Sequence, residues 1–191
     1  MYSRVFTKTK RELNLQRGSI LIAQPFWQDD KYKRSVIMLV DHGKDGSKGI
    51  ILNKLSTLTV HEALPELNVA LPLYYGGASN SEMISFLHNY PSFPETYSMG
   101  NELFLDGNIS YLFEMLNEKK INLSRIRFFS GFVFWTAGQL ESEIQEDQWW
   151  TSELNAHDFF NTSSEDLWAY ELLTNGHVYG ILNELPDPGF N

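Results

Sequence analysis

Two apolar runs rich in β-branched residues, Ser35–Val40 and Gly49–Asn53, flank a segment of turn-forming residues, Asp41-His-Gly-Lys-Asp-Gly-Ser-Lys48. Each run has the length of a strand and is too short for a buried helix. Two such strands joined by a glycine-rich turn form, most simply, an antiparallel hairpin in the core. A further apolar run, Ser19–Ala23, follows Gly18 and is stopped by Pro25.

The material for such a core is present. The chain of 191 residues is 42% hydrophobic and 14% aromatic, enough for one domain and unlike a disordered chain. It has no cysteine, which excludes a disulfide framework and a thiolate site. No apolar stretch approaches the ~20 residues that span a bilayer, and no signal-peptide core occurs, so a cytoplasmic protein is expected. Charge is unevenly placed. Residues 1–34 carry 8 Lys/Arg against 3 Asp/Glu, whereas residues 35–191 carry 7 against 21. From Phe128 onward there are eleven carboxylates and no Lys or Arg. That half of the chain would repel a phosphate backbone, so direct DNA binding is disfavoured and only Arg4–Arg17 could act as a basic arm. Residues 1–17 are polar and aperiodic and read as a flexible basic leader, with the domain running over 18–191.

Beyond the hairpin, Thr59-Val-His-Glu62 has the spacing of a capping box and predicts a short helix curtailed by Pro65. Strands are expected at Leu71–Tyr75, Glu82–His88 and Glu102–Asp106. Ile109, Leu112, Phe113 and Leu116 recur at i, i+3, i+4 and i+7, an amphipathic helix. Ile126–Trp135 is the most apolar stretch and is expected to be a central strand, with a bulge or close backbone approach at Gly131. Thr136-Ala-Gly-Gln139 predicts a second capping box and a helix to about Glu146. Thr162-Ser-Ser-Glu165 predicts a third, opening a helix that Asn175-Gly176 stops. The pattern is α+β: one domain of mostly antiparallel strands with several short helices.

Few residues carry a chemical signal. The five histidines never pair at metal-ligand spacing. Asp41 and Asp45 imitate a calcium loop, but Gly43 and Leu52 occupy positions that need oxygen ligands, so no metal site is expected. Ser35, His42 and Asp41 supply the residue types of a hydrolase without a nucleophile elbow. Glu141, Glu143, Glu146 and Asp147 read as a solvated helix face. No Walker A or dinucleotide fingerprint occurs, and no cofactor is expected. Gly138 and Gln139 lie in the first turn of the helix after the central strand, where free amides can meet an anion. Arg34 is either a binding cation or the counter-ion of a carboxylate.

In order along the chain, Gly18-Ser-Ile-Leu-Ile-Ala, Arg34-Ser-Val-Ile, His42, Gly49-Ile-Ile-Leu-Asn53, Gly76-Gly77, Leu87-His88, Gly138-Gln-Leu-Glu141 with Glu143-Ile144, and Leu167-Trp168 resemble the YqgE/AlgH family. The resemblance implies a compact α+β fold of bent, branching sheet with a pseudo-barrel outline. It carries no established activity, only the label of transcriptional regulator lent by one member. Two positions depart from the family pattern. Ala78 follows the paired glycines where the family has Pro, and Phe134 precedes Trp135 where a small residue is usual, so Phe134 would fill part of any cleft there. The functional expectation is a non-enzymatic cytoplasmic protein that binds an unknown protein or small-ligand partner and acts through it, with an indirect regulatory role. The alternative is an enzyme. Either would use Arg34, His42, Asn53, Gly138 and Gln139 as ligand-binding residues.

Overall fold

The structure, a computed structural model, describes residues 14–26, 29–67 and 69–175; residues 1–13 of the expected leader and the chain beyond Asn175 lie outside the described residues. Among the described residues ten strands form one branched sheet. They are β1 (Ile20–Ala23), β2 (Val36–Gly43), β3 (Gly46–Ile51), β4 (Leu55–Thr59), β5 (Pro72–Tyr75), β6 (Ser79–His88), β7 (Tyr97–Gly100), β8 (Leu103–Leu105), β9 (Ile126–Thr136) and β10 (Trp149–Ser152). Five helices accompany them among the described residues: α1 (Val60–Ala63), α2 (Ile109–Asn117), α3 (Gln139–Gln145), α4 (Ala156–Asn161) and α5 (Leu167–Thr174). The main path runs β10-β1-β2-β3-β9-β6-β8-β7, with β4 and β5 branching off β9. All pairings are antiparallel except β5 with β9. Because β7 and β10 are the ends of the path and do not pair, the sheet bends but does not close into a barrel.

The expected hairpin is the centre of the sheet, with one change. Pairing continues to Gly43 opposite Gly46, so the turn is only Lys44-Asp45 and the rest of the polar segment is strand, with a bulge between Leu39 and Asp41. Side chains of a strand alternate between faces, and here both faces are covered. Val36, Met38, Val40, Ile50 and Leu52 join Phe159, Leu167, Trp168 and Leu172 of α4 and α5. Ile37, Leu39 and Ile51 join Val133, Trp135 and Leu140 and Ile144 of α3. Each such side chain, wholly removed from water, contributes roughly 1.5–3 kcal/mol. A third cluster packs α1 and α2 against Leu73, Phe86, Ile126 and Phe128.

Gly131 has the role its position predicted. Residues 128–130 of β9 pair with β5 on one side and β6 on the other, whereas residues 133–136 pair with β3. At the switch Gly131 adopts φ +75°, and a Cβ there would lie 2.3 Å from the Gly77 carbonyl oxygen. Gly76 meets the same point: its N–H donates to Ser130 O at 2.7 Å and its carbonyl accepts from Ile51 N at 2.9 Å. Three backbones converge where the sheet branches, and glycine is the residue that leaves room.

Helix starts differ in detail. Thr59 and Glu62 form the full capping box. At α3 only half of the expected box forms: the Thr136 N–H donates to Gln139 Oε1 at 3.0 Å, and Gly138, at φ +76°, caps the helix instead. Before α5 the capping pair is displaced by one residue, Ser163 accepting from the Asp166 N–H at 3.1 Å. The strands β4, β7 and β10 and the helix α4 carry too short a periodic signal to stand out in the sequence. Asn14–Arg17, the end of the expected leader, lies against the sheet, with Leu15 on the α3-side core and Arg17 Nε donating to Val40 O at 3.1 Å.

Candidate functional site

The five candidate ligand-binding residues fall into two groups at opposite ends of β2. Arg34 and His42 are eight residues apart along extended chain, roughly 25 Å. At the first end Asn53 clamps the backbone: its Oδ1 accepts from the Val36 N–H at 2.8 Å and its Nδ2 donates to Arg34 O at 2.8 Å. The clamp holds Arg34 at φ +53°, a conformation non-glycine residues rarely adopt. The Arg34 guanidinium lies over the Trp168 ring at 5.5 Å, so its companion among the described residues is an aromatic face.

At the other end, the β2 bulge turns His42 toward α3. Its Nδ1 is 2.8 Å from Ser47 Oγ, and its Nε2 is 3.8 Å from Glu141 Oε1. Ser47, not Ser35, is therefore the serine beside His42. Ser35 is buried at the far end of β2, its hydroxyl without a hydrogen-bond partner. The line Ser47–His42–Glu141 has the residue types of a nucleophile, a base and an orienting acid. Ser47 is only 6% exposed, however, and the His42–Glu141 separation exceeds hydrogen-bond length. Gln139 is engaged within its own turn, accepting from Thr136 and donating to Glu143 Oε1 at 2.9 Å.

The acidic run Glu141–Asp147, on α3 and just past its end, is not a uniformly solvated face. Glu143 Oε2 accepts from two indole N–H groups, Trp135 and Trp149, each at 2.8 Å, with the rings edge to face. Asp147 lies beyond the helix, at φ +59°. Phe134 is 47% exposed on the outer face of β9, so it fills no cleft. His88 is fully buried. Its Nδ1 accepts from Tyr90 N at 3.1 Å and its Nε2 donates to Asp106 O at 3.0 Å, and burial pushes its pKa below the usual imidazole range. These are structural engagements. Among the described residues no group of three or more His, Asp or Glu is placed to hold a metal, and no helix is long and apolar enough to cross a membrane.

A polar hollow lies elsewhere, beneath α4. It has a volume of about 230 Å³ and is walled by Asn89 at the end of β6, Glu102 in the β7–β8 turn, Arg125 just before β9, and His157, Phe160 and Asn161 of α4. Asn89 Oδ1 is buried and meets no donor. Asn161 Nδ2 donates to His157 O at 2.8 Å and lies 3.1 Å from His157 Nδ1, which leaves His157 Nε2 to carry the ring proton. Just behind, Arg127 stacks on Phe159 at 4.4 Å and lies 6.0 Å from the Phe160 ring. Its Nη2 donates to Thr162 O at 2.8 Å, its Nη1 is buried without a partner, and burial pushes its pKa down. No sequence motif points to any of these residues. The available signal is that Arg125 and Arg127 are the last two cations of an acidic chain, spaced to share one face of a strand. A larger hollow of about 720 Å³ is lined in part by Asn14, Arg17, Asn101, Glu153 and Asn175.

A bent, branched, mostly antiparallel sheet with short helices on both faces defines the class: a single α+β domain whose core elements leave a small polar hollow beneath α4. Residues 20–179 match the family model described as DUF179: AlgH-like, and the chain belongs to that family. A UPF0301 protein of Cytophaga hutchinsonii is 31% identical over 181 residues, 93% of this chain and 100% of that protein. One of Bacteroides thetaiotaomicron is 33% identical over 180 residues, 92% of this chain and 91% of that one. The solution structure of the AlgH protein from Pseudomonas aeruginosa shares the fold, with a TM-score of 0.69 at 24% identity over 90% of this chain and 94% of that one. A crystal structure from Corynebacterium diphtheriae does so with a TM-score of 0.69 at 22% identity, covering 92% and 90%.

Proposed function

We propose that this is a cytoplasmic binding protein that holds a small polar ligand in the hollow beneath α4. On this reading any regulatory effect is indirect, through the ligand or a protein partner rather than through contact with DNA. One observation carries it: Asn89 Oδ1 is a buried acceptor with no donor, in the wall of a polar hollow. An acceptor left so costs roughly 1–3 kcal/mol, and turning the half-buried Asn89 amide into the hollow, where a ligand can donate to its oxygen, relieves that cost. The engagements of Arg34, Asn53 and Gln139 support the same reading, because each is committed to the fold. The carboxylate surplus of residues 35–191 argues against a nucleic-acid partner. The test is amide NMR of the isotope-labelled protein against a panel of neutral, anionic and cationic metabolites. Shifts centred on Asn89, Arg125, His157 and Asn161 are expected, and a panel that leaves all four unmoved removes the reading.

The Ser47–His42–Glu141 line favours a second reading, acyl transfer with Ser47 as nucleophile. A fluorophosphonate probe decides it. Labelling of the native protein that disappears in Ser47→Ala would establish the serine as reactive. No labelling is expected, since Ser47 is only 6% exposed.

A further inference from the structure

If the hollow beneath α4 is the binding site proposed for it, its walls select among ligands. Three of the wall residues carry donors: Arg125, which is exposed, His157 through its Nε2–H, and the amide of Asn89. Two accept, the Glu102 carboxylate and, once its amide turns into the hollow, Asn89 Oδ1. The Phe160 ring forms an apolar wall. A ligand that satisfies this set carries an anionic group at one end and hydroxyls along its length.

The charge around the hollow points the same way. Between residues 35 and 191 carboxylates outnumber cations 21 to 7, yet one of the seven, Arg125, lines this hollow and a second, Arg127, lies behind its Phe160 wall. Neither forms an ion pair among the described residues. Arg127 is held between Tyr74, Phe159 and Phe160 with its Nη1 unpaired. A largely desolvated guanidinium without a counter-charge costs stability, and its field is screened less than that of a surface lysine. The Glu102 carboxylate opposes an anion at its own side of the hollow, so the anionic end belongs at Arg125 and the hydroxyls at Glu102 and Asn89.

We propose that the hollow beneath α4 binds a small anionic polyol, a phosphorylated or carboxylated sugar, with the anion on Arg125, hydroxyls donating to Asn89 Oδ1 and Glu102, and Arg127 supplying background positive charge behind Phe160.

The experiment titrates the full chain with glucose 6-phosphate, gluconate, glucose and inorganic phosphate, following the amide resonances of Asn89, Arg125, His157 and Asn161. Saturable shifts are expected with glucose 6-phosphate or gluconate; which of the two binds more tightly distinguishes phosphate from carboxylate as the anion. Glucose and phosphate alone are expected to bind at least about tenfold more weakly. Arg125→Ala, at an exposed position, is expected to weaken binding about tenfold or more without altering the fold. Asn89→Leu is expected to abolish it. Glucose binding as tightly as its phosphate would overturn the anionic class while leaving the hollow a binding site. Phosphate alone binding equally well would overturn the polyol, as would Asn89→Leu retaining full affinity. An Arg125→Ala variant of undiminished affinity would overturn the placement of the anion. If neither sugar acid binds while a neutral or cationic metabolite shifts these amides, the proposal fails and the binding reading survives; if nothing shifts them, both fall.

Discussion

Glu143 gives two core tryptophans a shared carboxylate acceptor on the α3 face of the sheet. Trp135 comes from β9 and Trp149 from β10, and both indole N–H groups end on the same Glu143 oxygen at 2.8 Å. Removing the acceptor strands two buried donors, each costing roughly 1–3 kcal/mol. Glu143→Ala is therefore expected to destabilise by about 2–4 kcal/mol in urea unfolding, and Glu143→Gln by about 1 kcal/mol, since its amide oxygen still accepts. Equal losses in the two variants would show that the carboxylate's charge, and not its acceptor role, is what the tryptophans need. At the same scale, several of the candidate residues chosen from sequence turn out to be fasteners. Asn53 and Arg34 are visible because polar residues beside apolar strands stand out, and they stand out for a structural reason: they tie the start of β2 to its neighbours.

Among elements, β9 organises the fold, because it changes partners at Gly131. Its length, apolarity and central glycine are legible in the sequence, as are the β2–β3 hairpin, the α2 periodicity and the Thr59 capping box. The branch is not. Parallel pairing between β5 and β9 depends on contacts 55 residues apart, such as Leu73 opposite Phe128, and no local pattern encodes that. The short elements β4, β7, β10 and α4 are hidden too, since four to six residues give less than two turns of periodicity. Gly131→Ala tests the branch. The new Cβ meets the Gly77 carbonyl at 2.3 Å on a backbone of φ +75°, and a loss above about 3 kcal/mol is expected in denaturant unfolding. By contrast Gly138→Ala, at similar φ but with open space around it, is expected to cost only about 1 kcal/mol. Comparable losses at the two positions would mean that backbone strain alone, and not the crowding of three strands, fixes glycine at the branch.

For the whole molecule, the candidate site is far less legible in the sequence than the fold. Its members come from the end of β6, the β7–β8 turn, the start of β9 and α4, four places that only the bent sheet brings together. No motif links Asn89 to Arg125 or His157, and α4 itself has no clear periodic signal. The sequence does show a chain of net charge −9 with its last cations at Arg125 and Arg127. What it cannot show is that Arg125 borders a hollow whose wall includes Asn89, with a buried amide oxygen lacking a partner, and that Arg127 lies behind it. The measurement that bears most directly on ligand binding at this hollow is a thermal scan of Asn89→Leu beside the native chain, repeated with the metabolite panel. Leucine removes the stranded acceptor at nearly constant volume, so the variant is expected to melt about 2–4 °C higher and to lose every ligand-induced shift at the α4 hollow. A variant that melts lower and still responds to the same ligands would contradict the account, because Asn89 would then be serving the fold rather than a ligand.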